Sequence, residues 1–405
     1  MDLRRLYLLQ ALRAFAYGFA SVILGASLAR SGLSSAEVGL VFASLLAGSA
    51  IASLGLARRA DRLGRRRVYG LLYALMAITG GVFALSDSLS LLILAGLTGT
   101  LSVEVVESGP FTSVEQAMIP EVAGAGTTKA FGTYNAVAAL LGAGGALLAG
   151  GPEALRGAFP SLPADQRWLL VCSVVGLVGV ALVSALSPRV EARGVQGASG
   201  RLGTSRRPVL ILAGLFGLDS FAGGFIVQSF LVYWFTERYG ATTALMGIVF
   251  AATGVIQAAS FLAAPRIAAR WGLLNTMVFT HLPSNIILAL IPLAPNLGVA
   301  LGLLLFRFAL SQMDVPARQA YLAALAGRDE RAAAASVTNA VRTVARPFGA
   351  PLAGAAVGSP IPGLPFFLAG GLKSIYDIVL YLWFRRVPIE AQRAATGGPT
   401  EVRHS

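Results

Sequence analysis

Ionisable side chains stand inside long apolar stretches of this chain. Glu104 and Glu107 are one helical turn apart, Arg307 and Asp314 two turns apart, and Arg13, Asp219, Arg342 and Arg346 are set in comparable surroundings. A charge at bilayer depth costs several kcal/mol unless it is paired or hydrated, so each is a candidate for function. Two carboxylates one turn apart repel and favour sharing a proton. A group that gains and loses a proton near neutral pH is suited to carrying one across a cycle. Glu104 and Glu107 are therefore the first expectation for proton coupling, with Asp219 and Asp314 second. Arginine forks suit carboxylate or phosphate ligands. Arg13, Arg307, Arg342 and Arg346, with Tyr17 and Gln312, form the expected substrate-binding set. The same arginines serve equally well to neutralise the four acids, which leaves the charge of a substrate open. Lys373 and Asp377, at i and i+4, read as a structural pair on one helix. Glu115 and Arg318 read as opposite charges at the ends of two corresponding spans, a gate pair.

Other chemistry is sparse. Cys172 is the single cysteine and lies in an apolar run, so it reads as a small buried hydrophobe. His281 and His404 are too few for a metal site, and no nucleophile–base or metal-ligand spacing is present. No cofactor and no enzymatic activity are expected.

The elements that hold these residues are set by composition. Hydrophobic residues make up 56% of the 405 residues and charged residues 13%, where a soluble domain carries about a quarter charged. A helix crossing a bilayer needs about 20 mostly apolar residues, and the runs are too long for barrel strands. The expectation is an all-α integral membrane protein with twelve transmembrane helices in two pseudo-symmetric six-helix bundles. The spans are expected at 6–29, 37–56, 68–86, 90–118, 130–151, 168–187, 208–235, 244–264, 275–294, 297–322, 332–357 and 364–384. An N-terminal bundle then covers 1–187, a cytoplasmic linker 188–207, a C-terminal bundle 208–389, and a disordered tail 390–405. Gly109-Pro110 and Pro347 with Pro351 mark kinks in the fourth and eleventh spans. The glycines of the fifth span allow close helix approach.

The second half repeats the first at an offset of about 205 residues. Arg13-Ala14-Phe15-Ala16-Tyr17-Gly18-Phe19 matches Asp219-Ser220-Phe221-Ala222-Gly223-Gly224-Phe225. Val114-Glu115-Gln116-Ala117 matches Ala317-Arg318-Gln319-Ala320, and Gly145 to Gly150 matches Gly349 to Gly354. A membrane chain of two matching halves is the pattern of an alternating-access carrier with its site between the repeats.

The net charge of +13 is unevenly spread. Arg4, Arg5, Arg58 to Arg67, Arg189 to Arg207, Arg385 and Arg386 all fall on one side of alternating spans. Only Arg30, Arg156, Arg167 and Arg238 occupy loops on the other. This is positive-inside bias. It argues against nucleic-acid binding and for cytoplasmic termini in a plasma membrane, here expected to be a prokaryotic inner membrane.

Between the second and third spans the chain reads Ala57-Arg58-Arg59-Ala60-Asp61-Arg62-Leu63-Gly64-Arg65-Arg66-Arg67. This resembles the loop signature of the major facilitator superfamily, Gly-x-x-x-Asp-Arg/Lys-x-Gly-Arg/Lys-Arg/Lys, with Ala57 in place of the first glycine. The resemblance implies secondary transport by two rocking bundles. It also implies a cytoplasmic latch role for Asp61, Arg62 and Gly64, with Arg65 beside them in the basic run. In the second half Ala269 stands where Asp61 does. The glycine-rich motif with Gly-Pro in the fifth span, found in some antiporters, is not met. The expected function is proton-coupled carriage of a small organic solute, with export as the leading direction and a monomer as the unit. Uptake or exchange of an organic anion held by Arg13 and Arg307 is the alternative. A non-transporting receptor or scaffold on the same fold is the alternative of another class.

Overall fold

The computed structural model describes residues 1–104, 109–163, 165–191, 202–203, 205–326, 330–361 and 363–387. All regular elements among them are helices: α1 (Asp2–Ala29), α2 (Ser35–Leu63), α3 (Arg65–Leu85), α4 (Leu89–Gly96), α5 (Pro110–Ala123), α6 (Thr127–Leu148), α7 (Gly151–Ala158), α8 (Leu170–Ser184), α9 (Arg206–Gly223), α10 (Gln228–Tyr239), α11 (Thr243–Trp271), α12 (Leu273–Leu290), α13 (Leu297–Ser311), α14 (Asp314–Leu325), α15 (Arg331–Ala345), α16 (Gly349–Val357) and α17 (Leu364–Phe384), with short 3₁₀ turns between some. Local sequence sets several starts. Ser34 and Glu37 form a capping box at α2, the Glu37 carboxylate accepting from the Ser34 amide at 2.8 Å. Thr242 and Asn296 cap α11 and α13 through their side-chain oxygens.

Ten helical segments among the described residues are long and apolar enough to cross a membrane. Their outer faces carry large exposed apolar side chains, such as Ile78, Leu177, Leu262, Ile375 and Leu382, as a lipid-facing surface requires. The two remaining expected spans, the fourth and eleventh, are each broken into shorter helices. The fourth is interrupted more deeply than Gly109-Pro110 alone implied. Helix α4 stops at Gly96, Gly99 takes a φ of 69°, residues 99–104 are not helical, and α5 begins at Pro110. Backbone groups freed by this break find partners within the protein. The Tyr17 hydroxyl donates to the Thr100 carbonyl at 3.0 Å, and the Ser229 amide donates to the Val103 carbonyl at 3.1 Å. Non-helical backbone at membrane depth is tolerated where protein surrounds it in this way. The seventh span also breaks, at Gly224–Ile226, the tenth at Gln312 and Met313, and the eleventh at Arg346–Phe348, where Pro347 sits.

Packing repeats between the halves. In the first, α1 lies on α6, α3 on α8, and α2 on α4; in the second, α9 lies on α15, α12 on α17, and α11 on α13. The glycine seam follows the same rule. A Cβ on Gly145 would lie 2.0 Å from the Phe15 carbonyl oxygen, and one on Gly349 would lie 2.3 Å from that of Phe221. The seam joins helices within each half, so only glycine lets these pairs close.

The halves meet through α1 on α10, α2 on α16 and α6 on α11. Bonds between them lie at mid-depth or at the end away from the arginine loop. Arg30 Nη2 donates to Thr243 Oγ1 at 3.0 Å, Glu153 accepts from the Ala244 amide at 3.2 Å, and Gly39 abuts Gly354. At the arginine end, α5 and α14 each pack on helices of their own half. The strongest contacts between the halves therefore lie at mid-depth and at the end away from the arginine loop.

Candidate functional site

Two buried polar clusters occupy corresponding places in the halves. In the first, Arg13 of α1 pairs with Glu115 of α5, and both are almost fully buried. Arg13 also donates to Gln10 and, at 3.2 Å, to the Tyr134 hydroxyl. Tyr69 and Tyr134 each donate a phenol hydrogen to the Glu115 carboxylate, so both of its oxygens are occupied. The Arg13 guanidinium lies 5.1 Å from the Phe111 ring centroid and 5.5 Å from that of Tyr17. Tyr73 packs edge-on against Phe111, centroids 4.9 Å apart, and donates to the Leu9 carbonyl at 3.0 Å.

In the second half the signs are exchanged. Asp219 of α9, aligned with Arg13, accepts from Arg318 of α14, aligned with Glu115, at 3.4 Å. Lys373 of α17 donates to the other Asp219 oxygen at 2.6 Å, and Asp314 lies 3.5 Å from Arg318. His281 of α12 links this group to Asp377 of α17. Its Nδ1 is 3.0 Å from both Asp377 oxygens, and its Nε2 is 3.8 Å from Asp219 Oδ1. Asn285, one turn along α12, donates to Asp377 Oδ2 at 2.8 Å, and the Tyr376 ring stacks edge-on against His281. Among the described residues no group of three or more His, Cys, Asp or Glu is arranged to hold a metal ion.

The remaining expected residues divide. Glu104 is not helical; it pairs across the halves with Arg346, both side chains partly exposed. Glu107 lies outside the described residues, so the expected carboxylate pair is represented by Glu104 alone. Gln312 accepts from Gln257 at 2.8 Å, where the tenth span breaks. Arg307 and Arg342 make no hydrogen bond or ion pair among the described residues, and the Nε of each is buried without an acceptor. Glu115 and Arg318, expected as a gate pair, bond within their own halves instead, because α5 and α14 face inward on α1 and α9. Lys373 and Asp377 do not pair with each other, since Asp219 lies closer to the ammonium and His281 to the carboxylate. In the basic loop, Gly64 adopts a φ of 90°, Arg62 is exposed, and Arg65 is buried against the Ala117 carbonyl at 2.8 Å and Glu121 at 3.3 Å. The Asp61 side chain, and with it the latch, lies outside the described residues. Glu191 caps α3 by accepting from the Arg65 and Arg66 amides at 2.7 and 3.2 Å.

His281, Asn285 and the phenols of Tyr69, Tyr73 and Tyr134 were not among the expected site residues. Two polar groups at i and i+4 on an apolar helix, His281 with Asn285, facing the similar Lys373–Asp377 stripe, are the signal that marks them.

The family model of the Major Facilitator Superfamily matches residues 6–350. The chain belongs to this superfamily. It is a multi-pass membrane protein similar to an uncharacterized membrane protein of Saccharomyces cerevisiae, YJR124C, at 25% identity over 97% of this chain and 96% of that one. Among solved structures, the nucleoside transporter NupG superposes with a TM-score of 0.73 at 15% identity, covering 95% of this chain and 100% of the other. The xylose transporter XylE of E. coli in an inward open conformation gives 0.70 at 16%, covering 97% and 99%. A bacterial homologue of the human lysosomal transporter Spinster, inward-facing and occupied, gives 0.70 at 16%, covering 95% and 96%. These likenesses show that the chain shares their fold.

Proposed function

We propose that this protein is a proton-coupled alternating-access carrier for a small organic solute, and that Asp219, His281 and Asp377 hold the coupled proton. The observation that carries this reading is the placement of His281 between two carboxylates. A neutral imidazole has one N–H and donates to one acceptor; a protonated imidazole donates at both nitrogens. With Asp377 at Nδ1 and Asp219 at Nε2, one added proton is received by a pair of ready acceptors. Asp219 also faces the fixed cations Lys373 and Arg318, so a change in its charge is felt by α9, α14 and α17 together. Coupling thus falls to this trio in place of Glu104 and Glu107. Glu104 with Arg346 serves instead as an ion pair that joins the halves in this state and parts when they rock.

The uneven arginine distribution supports cytoplasmic termini in a plasma membrane, and the end at which Arg30 and Glu153 tie the halves together is then the opposite one. The two halves of one chain supply both walls of the path, so the monomer is the unit. Proteoliposomes holding a pH dye, challenged with a panel of organic anions, cations and neutral solutes, test the reading. At least one solute moves protons through the normal protein and none through Asp219→Asn or His281→Gln. The sign of the dye response separates export in exchange for protons, the expected direction, from joint uptake. Equal proton movement by the variants would remove the trio from coupling.

A further inference from the structure

The carrier reading leaves the solute undefined, and the distribution of unpaired cations narrows it; an anion site for that solute rests on the carrier reading. Five basic side chains stand around Asp219 and the Glu104 contact between the halves. Lys373 and Arg318 each bond a carboxylate, and Arg346 bonds Glu104. Arg307 and Arg342 bond none among the described residues. Arg307 is only 7% exposed, its Nε has no acceptor, and its one neighbour of note is the Phe308 ring, 5.2 Å from the guanidinium. Arg342 is half-buried with its Nε equally unmatched. Arg307 lies within electrostatic reach of Asp219 and of Glu104 in the other half, and Arg342 within reach of Arg318 and Asp219. A buried donor without an acceptor is costly, and a buried charge more so. Arg307, buried, and Arg342, half-buried, stand on consecutive spans and meet no acceptor among the described residues. Arg13, grouped with Arg307 in the sequence, differs in having a counter-charge: its Nη2 bonds Glu115, Gln10 and Tyr134, although its Nε too lacks an acceptor.

We propose that Arg307 and Arg342 bind a carboxylate or phosphate group of the transported solute. Planar forks accept two oxygens of such a group at once. A lipid headgroup offers the same chemistry, and the test separates the two sources. Purified full-length protein in phosphatidylcholine nanodiscs is titrated calorimetrically with inorganic phosphate, benzoate and the uncharged match benzamide, at constant ionic strength. One or both anions bind saturably and benzamide does not. Arg307→Gln and Arg342→Gln each weaken anion binding about tenfold or more, the loss expected for a charge-assisted bond. Arg307→Lys retains part of the affinity, having charge without the fork. Should Arg307→Gln fail to fold, Arg342→Gln at the less buried position carries the same comparison.

Anion binding unchanged in the glutamine variants would overturn the proposal, as would absence of anion binding to the normal protein. So would binding seen only for phosphatidylglycerol added to the nanodiscs, which would assign the arginines to a headgroup. The carrier reading fails separately: proton movement driven by a solute, with anion binding indifferent to Arg307, sinks the anion site and leaves the carrier standing. Intact arginine-dependent binding with no solute-driven flux does the reverse.

Discussion

The two polar clusters use the same places in the repeat for opposite ends. In the first half one cation meets one carboxylate, and phenols fill what remains: Glu115 receives Arg13, Tyr69 and Tyr134. Both Glu115 oxygens are taken by these partners. In the second half the aligned pair is reversed in sign, as Asp219 and Arg318, and a histidine with a second carboxylate is added. The first cluster holds α1, α3, α5 and α6 as one body. The second ties α9, α12, α14 and α17 through groups whose charge can change. The first half thus closes its cluster with phenols, whereas the second places a histidine between two carboxylates.

Substitutions that strip each cluster should separate these roles. Glu115→Gln leaves the Arg13 guanidinium buried without its counter-charge, which costs about 3–5 kcal/mol. Thermal unfolding in detergent should report that loss, and the double exchange Arg13→Glu with Glu115→Arg, the order used by the second half, should recover much of it. A stable Glu115→Gln protein would break the comparison. Asp377→Asn keeps one acceptor oxygen for His281 or Asn285, so its cost should be smaller, about 2 kcal/mol, while solute-driven proton movement is lost. Smallest is Tyr73→Phe, which removes one hydrogen bond to the Leu9 carbonyl and leaves the ring packing; about 1 kcal/mol is expected. A larger loss would mean that the Tyr73 hydroxyl supports the Glu115 network.

Much of this was legible in the chain. Apolar runs gave the spans, because a bilayer imposes length directly, and collinear matches put Arg13 opposite Asp219 and Glu115 opposite Arg318. What the repeat did not convey was which of these four touch. Glu115 and Arg318 look like partners across the halves because their charges are opposite, yet helix rotation turns each toward its own half. Lys373 and Asp377 satisfy the i,i+4 rule, but that rule yields when better partners stand on α9 and α12. The break after Gly96 was hidden because Thr98, Gly99 and Thr100 are small and compatible with a membrane helix. The hydroxyls of Thr79, Thr98 and Thr100, 2.9 to 3.2 Å apart, hold it only once the chain is folded. Tyrosines 69, 73 and 134 read as apolar aromatics, since sequence does not reveal which hydroxyls find a carboxylate.

The account rests on an exchangeable proton in the second-half cluster, and His281 reports on it directly. The chain has two histidines, so His404→Ala leaves one imidazole for nitrogen-15 magnetic resonance of the full-length protein in nanodiscs. The signal of His281 is predicted to change protonation state between about pH 5 and about pH 8, and to change differently in Asp219→Asn, which removes the carboxylate facing Nε2. An imidazole fixed in one protonation state across that range, and indifferent to Asp219→Asn, would contradict the account.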